Sequence, residues 1–526
     1  MGDDPTPKRS GRAGGRAARV AARAAGPTEE EKAVRPGQSG GRYKPLTDSE
    51  CRTVYDTALT LLEEYGIGGP IPEFIDVVVP AGGWLDDDDR LHFPRSLVEE
   101  IIGMAAKSFT WHGLDDNRSI EVGGDRVHFG TAGAAVSVWD HETRKHRPSD
   151  LQDVYDVARL VDTLEHVHFH VRTLVARDMV EARNLDVNTA YAVAMGTTKP
   201  MGTSFFQPEH VHEVVDMFDE MLGGQSGSFA KRPFCVANNT FVVPPLRYAE
   251  DAVRSMVAQV RTGMPINLLS AGQAGATSPA ALAGSLAQAL AECLSALTCV
   301  NLMNPGHPCV MGLWPFVSDL RTGAMSGGSG EEAVLNAAAA QVTNWLGLPS
   351  GVAAGMADSK MPDNQAGHEK GLTVALAGHA GANLVYESAG MLASILACSY
   401  EALVIDNDML GAVNRTIRGI EVTPDKLSVE TIRSVIHGDG HFLGQDQTLS
   451  IMQSEYIYPE VGDRLSPDDW FDAGASSVDE RARLLAREVL SSHFPAHVPP
   501  DFDTRIRERF DIRLPAEELT RSSRWG

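Results

Sequence analysis

Aromatic and acidic side chains follow several apolar, strand-like segments of this 526-residue chain. Trp314 and Phe316 follow one such segment, Asp358 follows a second, and Tyr386 and Glu387 end a third. The face of an aromatic ring attracts a cation, and a carboxylate supplies the opposite charge. A quaternary ammonium group has no N–H to donate, so a protein holds it by these two means. The combination predicts a pocket for a methylated amine, although aromatic residues at strand ends often belong to the core.

Lys360 allows a different chemistry. Its amine is the nucleophile that a Schiff-base lyase or aldolase uses, but Asp358 and Asp363 make an ion pair an equal alternative. No G-x-S-x-G elbow supports Ser/His/Asp hydrolysis, and no glycine-rich nucleotide loop follows a strand-like segment.

Histidines and cysteines are the residues of this chain most suited to bind a transition metal. His166, His168 and His170 alternate along one segment and would face one side of a sheet, as ligands of zinc or iron can. His307 and Cys309 lack a second ligand pair at a usual spacing for zinc. The six cysteines include no CxxC pair and lie mostly in apolar sequence, which indicates buried free thiols. We therefore expect no metal of the protein's own.

Strand-like and helix-length segments alternate from about residue 150 onward. The strand-like segments are 167–175, 200–206, 233–241, 265–270, 308–314, 351–356 and 382–387, with an eighth at 403–406 that is equally consistent with a helix. Parallel strands joined by crossover helices predict an α/β protein, a (β/α)₈ TIM-type barrel. An open doubly wound sheet is the alternative. The loops that follow the strands of a barrel carry its active site, and the aromatic and acidic residues lie on such loops.

Four regions divide the chain. Residues 1–44 are rich in Arg, Gly and Ala and are predicted to be a disordered basic tail. Residues 45–150 are predicted to be an N-terminal cap, 151–420 the catalytic barrel, and 421–526 a C-terminal helical extension.

The net charge of −24 disfavours binding to nucleic acid or to an anionic membrane surface. No run of eighteen apolar residues predicts a membrane span, and the basic start has no apolar core of a secretory signal. We expect a cytoplasmic protein, and a homo-oligomer.

Six phrases, in order along the chain, resemble the trimethylamine methyltransferase family. They are 129–135 (FGTAGAA), 188–191 (NTAY), 196–200 (GTTKP), 270–277 (SAGQAGAT), 314–323 (WPFVSDLRTG) and 357–366 (ADSKMPDNQA). The resemblance implies a (β/α)₈ barrel that presents a small methylated amine to a separate corrinoid-binding protein, whose cobalt(I) takes the methyl group. The corrinoid (cobalamin) belongs to that partner.

The resemblance also indicates a class of substrate, and the residues at the strand ends described above indicate the site. The segment 351–360 has no pyrrolysine, so the chain resembles the branch of the family whose substrates are quaternary amines such as glycine betaine. Asp358 and Glu387 are then expected to be catalytic. Trp314, Phe316, Tyr386 and Gln273 are expected to bind the substrate.

The corrinoid is expected to meet His441 and Gln445, in and after the turn 440–444. The chain continues there as Gln-Asp-Gln, which departs from the expected His-containing stretch. Two other functions remain as alternatives: a non-catalytic barrel that binds quaternary amines, and a lyase or aldolase that uses Lys360.

Overall fold

Eight parallel strands close into a barrel in the computed structural model, which describes residues 32–438 and 440–525. The strands are β1 (Arg126–Thr131), β2 (Phe169–Val171), β3 (Met201–Thr203), β4 (Cys235–Thr240), β5 (Ile266–Ser270), β6 (Cys309–Leu313), β7 (Ser350–Ala353) and β8 (Leu384–Tyr386). β1 pairs in parallel with both β2 and β8, which closes the sheet. The predicted barrel is confirmed, and the open doubly wound sheet is wrong.

A helix follows each strand and covers the outside of the barrel. The helices are α1 (Leu151–Thr163), α2 (Ala182–Gly196), α3 (Pro208–Met221), α4 (Glu250–Thr262), α5 (Leu282–Met303), α6 (Gly330–Trp345), α7 (Asn364–Ala380) and α8 (Tyr400–Arg418). The sequence pattern did not show α2. Its residues from Asp186 to Gly196 are all buried, so no polar face marks the helical period.

Helix α5 is apolar on all sides because it is covered on all sides. It packs on β5 and β6, and three helices of the N-terminal cap, Asp48–Thr60, Pro72–Val78 and Arg95–Met104, pack on it in turn. By length and composition it is the one helix in the described part of the chain that can cross a membrane, and it is mostly buried inside the protein. A place between barrel and cap accounts for its composition.

Small sheets complete the N-terminal cap. Ile67–Gly68, Trp84–Leu85 and Arg90–His92 form a three-stranded antiparallel sheet, and Ser108–Trp111 pairs with Ile120–Gly123.

Glycines on β1 and β7 make room for aromatic rings inside the barrel. A Cβ on Gly130 would lie 2.4 Å from the Phe169 ring, and a Cβ on Gly351 would lie 2.8 Å from the Tyr386 ring. Because both Cβ atoms are missing, Phe169 and Tyr386 pack edge to face at 5.1 Å. The Trp314 ring also packs against the Tyr386 ring, with 5.1 Å between their centroids. The barrel therefore has a packed aromatic interior, not an open channel.

The first barrel strand lies earlier in the chain than the sequence indicates. β1 falls within the region 45–150 that was expected to be cap, and residues 403–406, offered as an eighth strand, belong to α8. A hairpin over residues 137–148 separates β1 from α1, so the usual strand–loop–helix spacing is lost. The barrel assigned to 151–420 lacks its first strand for this reason.

Part of the predicted disordered tail pairs with the barrel. Gln38–Ser39 forms a short strand antiparallel to β1. Gly37 N–H donates to the Val127 carbonyl, and Gly41 and Tyr43 N–H groups both donate to the His379 carbonyl. These are backbone contacts, which leave no side-chain pattern in the sequence. Residues 1–31 of the predicted tail lie outside the described residues.

The C-terminal region is helical in two parts. Residues 419–458 belong to a separate compact unit with the helices Val429–Ile436 and Asp446–Ile451. Residues 459–525 belong with the barrel. There, Val478–Ser492 packs on α8 and α1, and Pro500–Arg509 packs on α3. The shorter helices are Pro467–Asp472 and Ala516–Leu519.

The strand at Gln38–Ser39 predicts a measurable loss of stability when it is removed. A chain that begins at Lys44 should be less stable than one that begins at Pro36, by about 2 kcal/mol for several lost backbone hydrogen bonds. Urea unfolding of both chains measures the difference. Gln38→Ala in the longer chain is the control and should have little effect, because the pairing uses the backbone. Equal stability of the two chains would show that the strand contributes nothing.

Candidate active site at the mouth of the barrel

A cavity of about 550 Å³ opens at the carboxyl ends of the barrel strands. Residues at or after the ends of seven of the eight strands, all except β7, line it. Trp314 and Phe316 line it after β6, and Glu387 lines it after β8. The structure therefore brings three of the predicted site residues to one cavity.

The two aromatic walls are fixed by backbone pairing beyond the barrel. After β6 the chain runs parallel to the segment after β5. Trp314 N–H donates to the Ser270 carbonyl and Phe316 N–H donates to the Gly272 carbonyl, both at 2.9 Å. Both rings are buried, and both have an edge or face in the cavity wall. A fixed aromatic wall suits a cation, because no side-chain freedom is lost on binding.

Glu387 directly follows β8 and has a backbone conformation that favours glycine. Its φ is 59°, in a region that costs a non-glycine residue about 1–3 kcal/mol. Neighbouring contacts fix the chain there. Ser388 donates to the Gly130 carbonyl from N–H at 3.0 Å and from Oγ–H at 2.8 Å, and Ala354 N–H donates to the Tyr386 carbonyl at 3.0 Å. In this conformation the Glu387 side chain reaches the cavity.

The Glu387 carboxyl is buried without a partner. Its exposure is 0%, and in the described part of the chain neither of its oxygens has a hydrogen-bond partner. Burial raises the pKa of Glu387 to about 8, because a lone negative charge is unfavourable away from water. The group is therefore mostly protonated at pH 7, and a cation bound beside it would convert it to the carboxylate.

Asp358, expected to be catalytic, does not line the cavity. Its carboxylate accepts hydrogen bonds from Ser326 Oγ at 2.6 Å, from Gly327 N–H at 2.7 Å and from Ser394 Oγ at 2.5 Å. All three donors are loop residues. Both carboxylate oxygens are therefore used to join two loops of the barrel mouth, and the expected catalytic role of Asp358 stays a prediction.

The turn that is hydrogen-bonded to Asp358 through Ser394 also contains the cavity residue Ile395. Ala393, Ser394 and Ile395 follow one another with φ of 51°, 51° and 77°, which is unusual for any residue and most of all for β-branched Ile395. Ala393 N–H donates to the Ser359 carbonyl at 2.7 Å. This turn joins Met391–Leu392 to Ala397–Cys398 and places Ile395 in the cavity wall.

Tyr386 and Gln273 lie behind the cavity wall and not in it. Tyr386 is fully buried under Trp314. Gln273 Nε2 donates to Ser318 Oγ at 2.8 Å, which ties together the two segments that hold Phe316. Neither residue lines this cavity, and the substrate contacts expected of them stay predictions.

His441 and Gln445 belong to the 419–458 unit, where His441 is exposed and Gln445 is half-buried. Their expected role toward a corrinoid stays a prediction. Lys360 is exposed, does not line the cavity, and donates to the Asp358 carbonyl at 2.5 Å. This position gives a Schiff base no enclosed site.

The histidine-rich strand is part of the buried framework. His168 Nδ1 accepts from the Phe129 N–H at 3.1 Å, and His170 Nδ1 lies 2.7 Å from Thr131 Oγ1. Burial lowers the pKa of His170 to about 3. Residues 32–438 and 440–525 contain no cluster of three or more His, Cys, Asp or Glu that would hold a metal. All six cysteines are buried free thiols, as predicted.

Known sequences identify the family. The trimethylamine methyltransferase (MTTB) family model matches residues 12–515. The chain belongs to the trimethylamine methyltransferase family. It is 29% identical to a trimethylamine methyltransferase of Desulfitobacterium hafniense DCB-2, over 88% of this chain and 92% of that protein. It is 27% identical to a glycine betaine methyltransferase of Desulfitobacterium hafniense Y51, over 90% of this chain and 97% of that protein. It is 31% identical to a trimethylamine methyltransferase of Methanosarcina mazei, over 88% of this chain and 93% of that protein.

The predicted family and the predicted methyltransferase activity are confirmed. This methyltransferase has cavity residues that the sequence did not reveal. They are Arg172, Phe205, Phe206, Asn238, Asn239 and Ile395, among others. Arg172 had a signal, since it is a lone guanidinium directly after an apolar and His-rich strand. Phe205 and Phe206 follow β3, Asn238 and Asn239 lie in the last part of β4, and Ile395 lies in a hairpin turn, and none of these positions has a sequence pattern that indicates chemistry.

Glu387 predicts how the stability of the methyltransferase depends on pH. The folded state keeps the proton up to a pKa of about 8, whereas a solvated Glu loses it near the ordinary value of 4.5. Between these values the unfolded state binds fewer protons, so stability from this group is present at low pH and is lost as pH rises. The stability of wild type relative to Glu387→Gln should fall by about 1.4 kcal/mol per pH unit between pH 5.5 and 7.5.

Urea unfolding of both proteins across this range checks the slope. Glu250→Gln removes an exposed carboxylate from the rim of the same cavity and is the matched control. The free energy of unfolding of Glu250→Gln should change with pH in the same way as that of wild type. A pH-independent difference between wild type and Glu387→Gln would contradict the protonated carboxyl.

Proposed function

We propose that this methyltransferase removes a methyl group from a small quaternary amine and passes it to the cobalt of a corrinoid held by a separate protein. The observation that carries the proposal is the Glu387 carboxyl, buried without a partner beside Trp314 and Phe316. The relatives named for trimethylamine and glycine betaine agree with a methylated amine as substrate.

Substrate binding uses charge and aromatic faces together. A quaternary ammonium group offers no hydrogen bond, so the cavity needs a negative charge within reach and a surface that accepts methyl groups. Glu387 supplies the charge once it loses its proton. Trp314 and Phe316 supply the surface, and their burial makes the cation–π attraction stronger than it would be in water.

The chemistry calls for positioning and not for a base. The nitrogen of a quaternary amine carries no proton, so a general base has nothing to remove. The reduced corrinoid supplies the strong nucleophile that a poor electrophile of this kind needs. The barrel holds one N–CH₃ bond toward the open mouth, and correct alignment alone can contribute several kcal/mol.

Glu387 also suits the change of charge during transfer. Positive charge leaves the nitrogen as the methyl group departs, so a permanent strong ion pair would stabilise the substrate more than the transition state. A carboxyl group with a raised pKa is ionised only while a cation lies beside it and takes up a proton when the cation is gone. When the product amine is neutral, Glu387 regains a proton and the ion pair disappears.

Asp358, Tyr386 and Gln273 act in this proposal through other residues. Asp358 fixes the turn that carries Ile395, Tyr386 supports the ring of Trp314, and Gln273 holds the segment of Phe316. They are positioning residues.

The proposal predicts a pH-dependent affinity for quaternary cations. Tetramethylammonium keeps its charge at every pH, so any pH dependence comes from the protein. Binding should release a proton from Glu387, and the dissociation constant should fall about tenfold per pH unit from pH 6 toward 8 and level off above. Methylammonium should bind much more weakly, because it has one methyl group for the aromatic walls and because its three N–H groups lose more hydrogen bonds to water than the Glu387 carboxylate alone replaces.

Isothermal titration calorimetry at several pH values measures both affinities. Glu387→Gln should bind tetramethylammonium weakly at every pH, and Glu250→Gln should keep the pH dependence of wild type. Equal affinity for the two amines would overturn the cation–π account.

The proposal also predicts that the methyl acceptor is indispensable. The purified methyltransferase should leave the amine unchanged, and demethylation should begin only when a reduced corrinoid is added. Mass spectrometry of the amine measures the reaction. Glu387→Gln should raise the substrate concentration needed for half-maximal rate more than it lowers the maximal rate. Demethylation with no corrinoid present would disprove this mechanism.

A further inference from the structure

The hairpin between β1 and α1 adjoins the cavity wall in two places. Gly133 and Ala134 lie just before the hairpin and line the cavity. Its first strand, Ser137–Asp140, pairs in parallel with Ala397–Cys398, which closely follows the cavity residue Ile395. The position of this hairpin therefore affects two segments of the cavity wall, one that leads into the hairpin and one that lies beside it.

The left-handed turn at 393–395 is supported from two sides. Three consecutive residues in this conformation persist only where neighbouring contacts fix them. Asp358 holds the turn on one side. On the hairpin side, Ser137 Oγ–H donates to the Leu396 carbonyl at 2.9 Å, and Val136 N–H donates to the same carbonyl at 3.3 Å. Movement of the hairpin would remove one of the two supports.

A buried carboxylate holds the second strand of the hairpin, Lys145–Pro148. Asp153 lies in the first turn of α1 and has an exposure of 0%. The guanidinium of Arg147, on that strand, donates to Asp153 from Nη1 at 2.6 Å and from Nη2 at 2.7 Å. A bidentate pair of this kind fixes direction as well as distance. The hairpin is therefore held on α1 through Asp153.

Arg524 and Trp525 bind to the same part of α1. Arg524 Nη1 donates to Asp153 Oδ1 at 2.9 Å, and Arg524 Nη2 donates to Asp150. Trp525 Nε1 donates to Asp156 Oδ2 at 2.9 Å. Like charges three residues apart on a helix repel each other. Arg524 lies between two such carboxylates, and one of them is the carboxylate that holds the hairpin.

We propose that Arg524 is a positioning residue for methyl transfer, which acts through Asp153 and Arg147 to hold the hairpin against the turn at 393–395. Networks of ion pairs and hydrogen bonds can couple distant parts of a protein. This network runs from Arg524 across the start of α1 to the hairpin and on to the cavity wall. The inference rests on the proposed function and adds to it a residue that lies outside the cavity.

The role of Arg524 is alignment of the bound amine and not affinity for it. Glu387, Trp314 and Phe316, which hold the cation in the proposed function, are fixed by other contacts of the barrel strands. The wall beside the hairpin limits how the bound amine can tilt. A misplacement of about 1 Å can lower a rate by about 100-fold, while the cation stays bound.

Hydrogen–deuterium exchange tests the link from Arg524 to the cavity wall. Arg524→Gln removes the charge and should speed backbone exchange both in the hairpin and in 393–398. Arg524→Lys should have a smaller effect, because it keeps the charge without the fork that spans two carboxylates. Arg509→Gln is the matched control, since Arg509 also pairs with a carboxylate of a barrel helix, Glu220 on α3. It should leave exchange in both segments as in wild type.

Kinetics with a reduced corrinoid test the role in transfer, with tetramethylammonium and glycine betaine as substrates. Arg524→Gln should lower the maximal rate by about 10- to 100-fold, and Arg524→Lys should recover part of it. The affinity of Arg524→Gln for both amines, measured by calorimetry at pH 8, should stay close to that of wild type. All assays are run where urea unfolding shows every variant folded, so a residue that only stabilised the fold would leave the rate unchanged. Arg509→Gln should keep the rate of wild type.

Failure of this inference is distinct from failure of the proposed function. If Arg524→Gln speeds exchange in the hairpin alone, or if its maximal rate equals that of wild type, Arg524 is not a positioning residue. If Arg524→Gln does not fold, the same readouts on Arg524→Lys decide the question. If wild type neither binds nor demethylates either amine, the quaternary-amine function is wrong. Faster exchange of 393–398 in Arg524→Gln would then uphold only the link to the cavity wall.

Discussion

The candidate active site depends on one unfavourable arrangement, a carboxyl that is buried at the cavity with no hydrogen-bonding group beside it among the described residues. Glu387 has no exposed surface and no hydrogen-bond partner among the described residues. A buried polar group in this condition costs about 1–3 kcal/mol, and more when it is charged. Folding alone gives no reason to keep it. The proposed function supplies a reason, because a cationic ligand would provide the missing counter-charge and make the carboxylate the stable form.

The barrel keeps this arrangement in place from several directions. Ser388 on one side of Glu387 is bonded to β1, and Tyr386 on the other side is bonded to the loop after β7. Gly130 and Gly351 let the aromatic rings of Phe169 and Tyr386 interlock under Trp314. Because the strands form a closed sheet, none of these contacts can relax without a change in its neighbours. These contacts with neighbouring strands together stabilise the left-handed backbone conformation of Glu387.

The sequence revealed which loops meet but not which side chains turn inward. Alternating strands and helices were enough to predict the barrel, and positions at strand ends were enough to predict that Trp314, Phe316 and Glu387 lie at the same end of it. Asp358 looked equivalent to Glu387, yet its oxygens are satisfied by loop donors. The difference between a used and an unused carboxylate lies in tertiary hydrogen bonds, which no local pattern encodes. β1 was missed for a similar reason, since a hairpin displaces it from its helix.

The protonation state of Glu387 is the central claim, and infrared difference spectroscopy tests it most directly. Wild type at pH 7 should show the C=O stretch of a protonated carboxyl that disappears when tetramethylammonium or glycine betaine is added, with carboxylate bands in its place. Glu387→Gln should show no such change. Two results would contradict this account. One is that ligand addition alters no carboxyl band of wild type, and the other is that ligand addition removes the same band from the spectrum of Glu387→Gln.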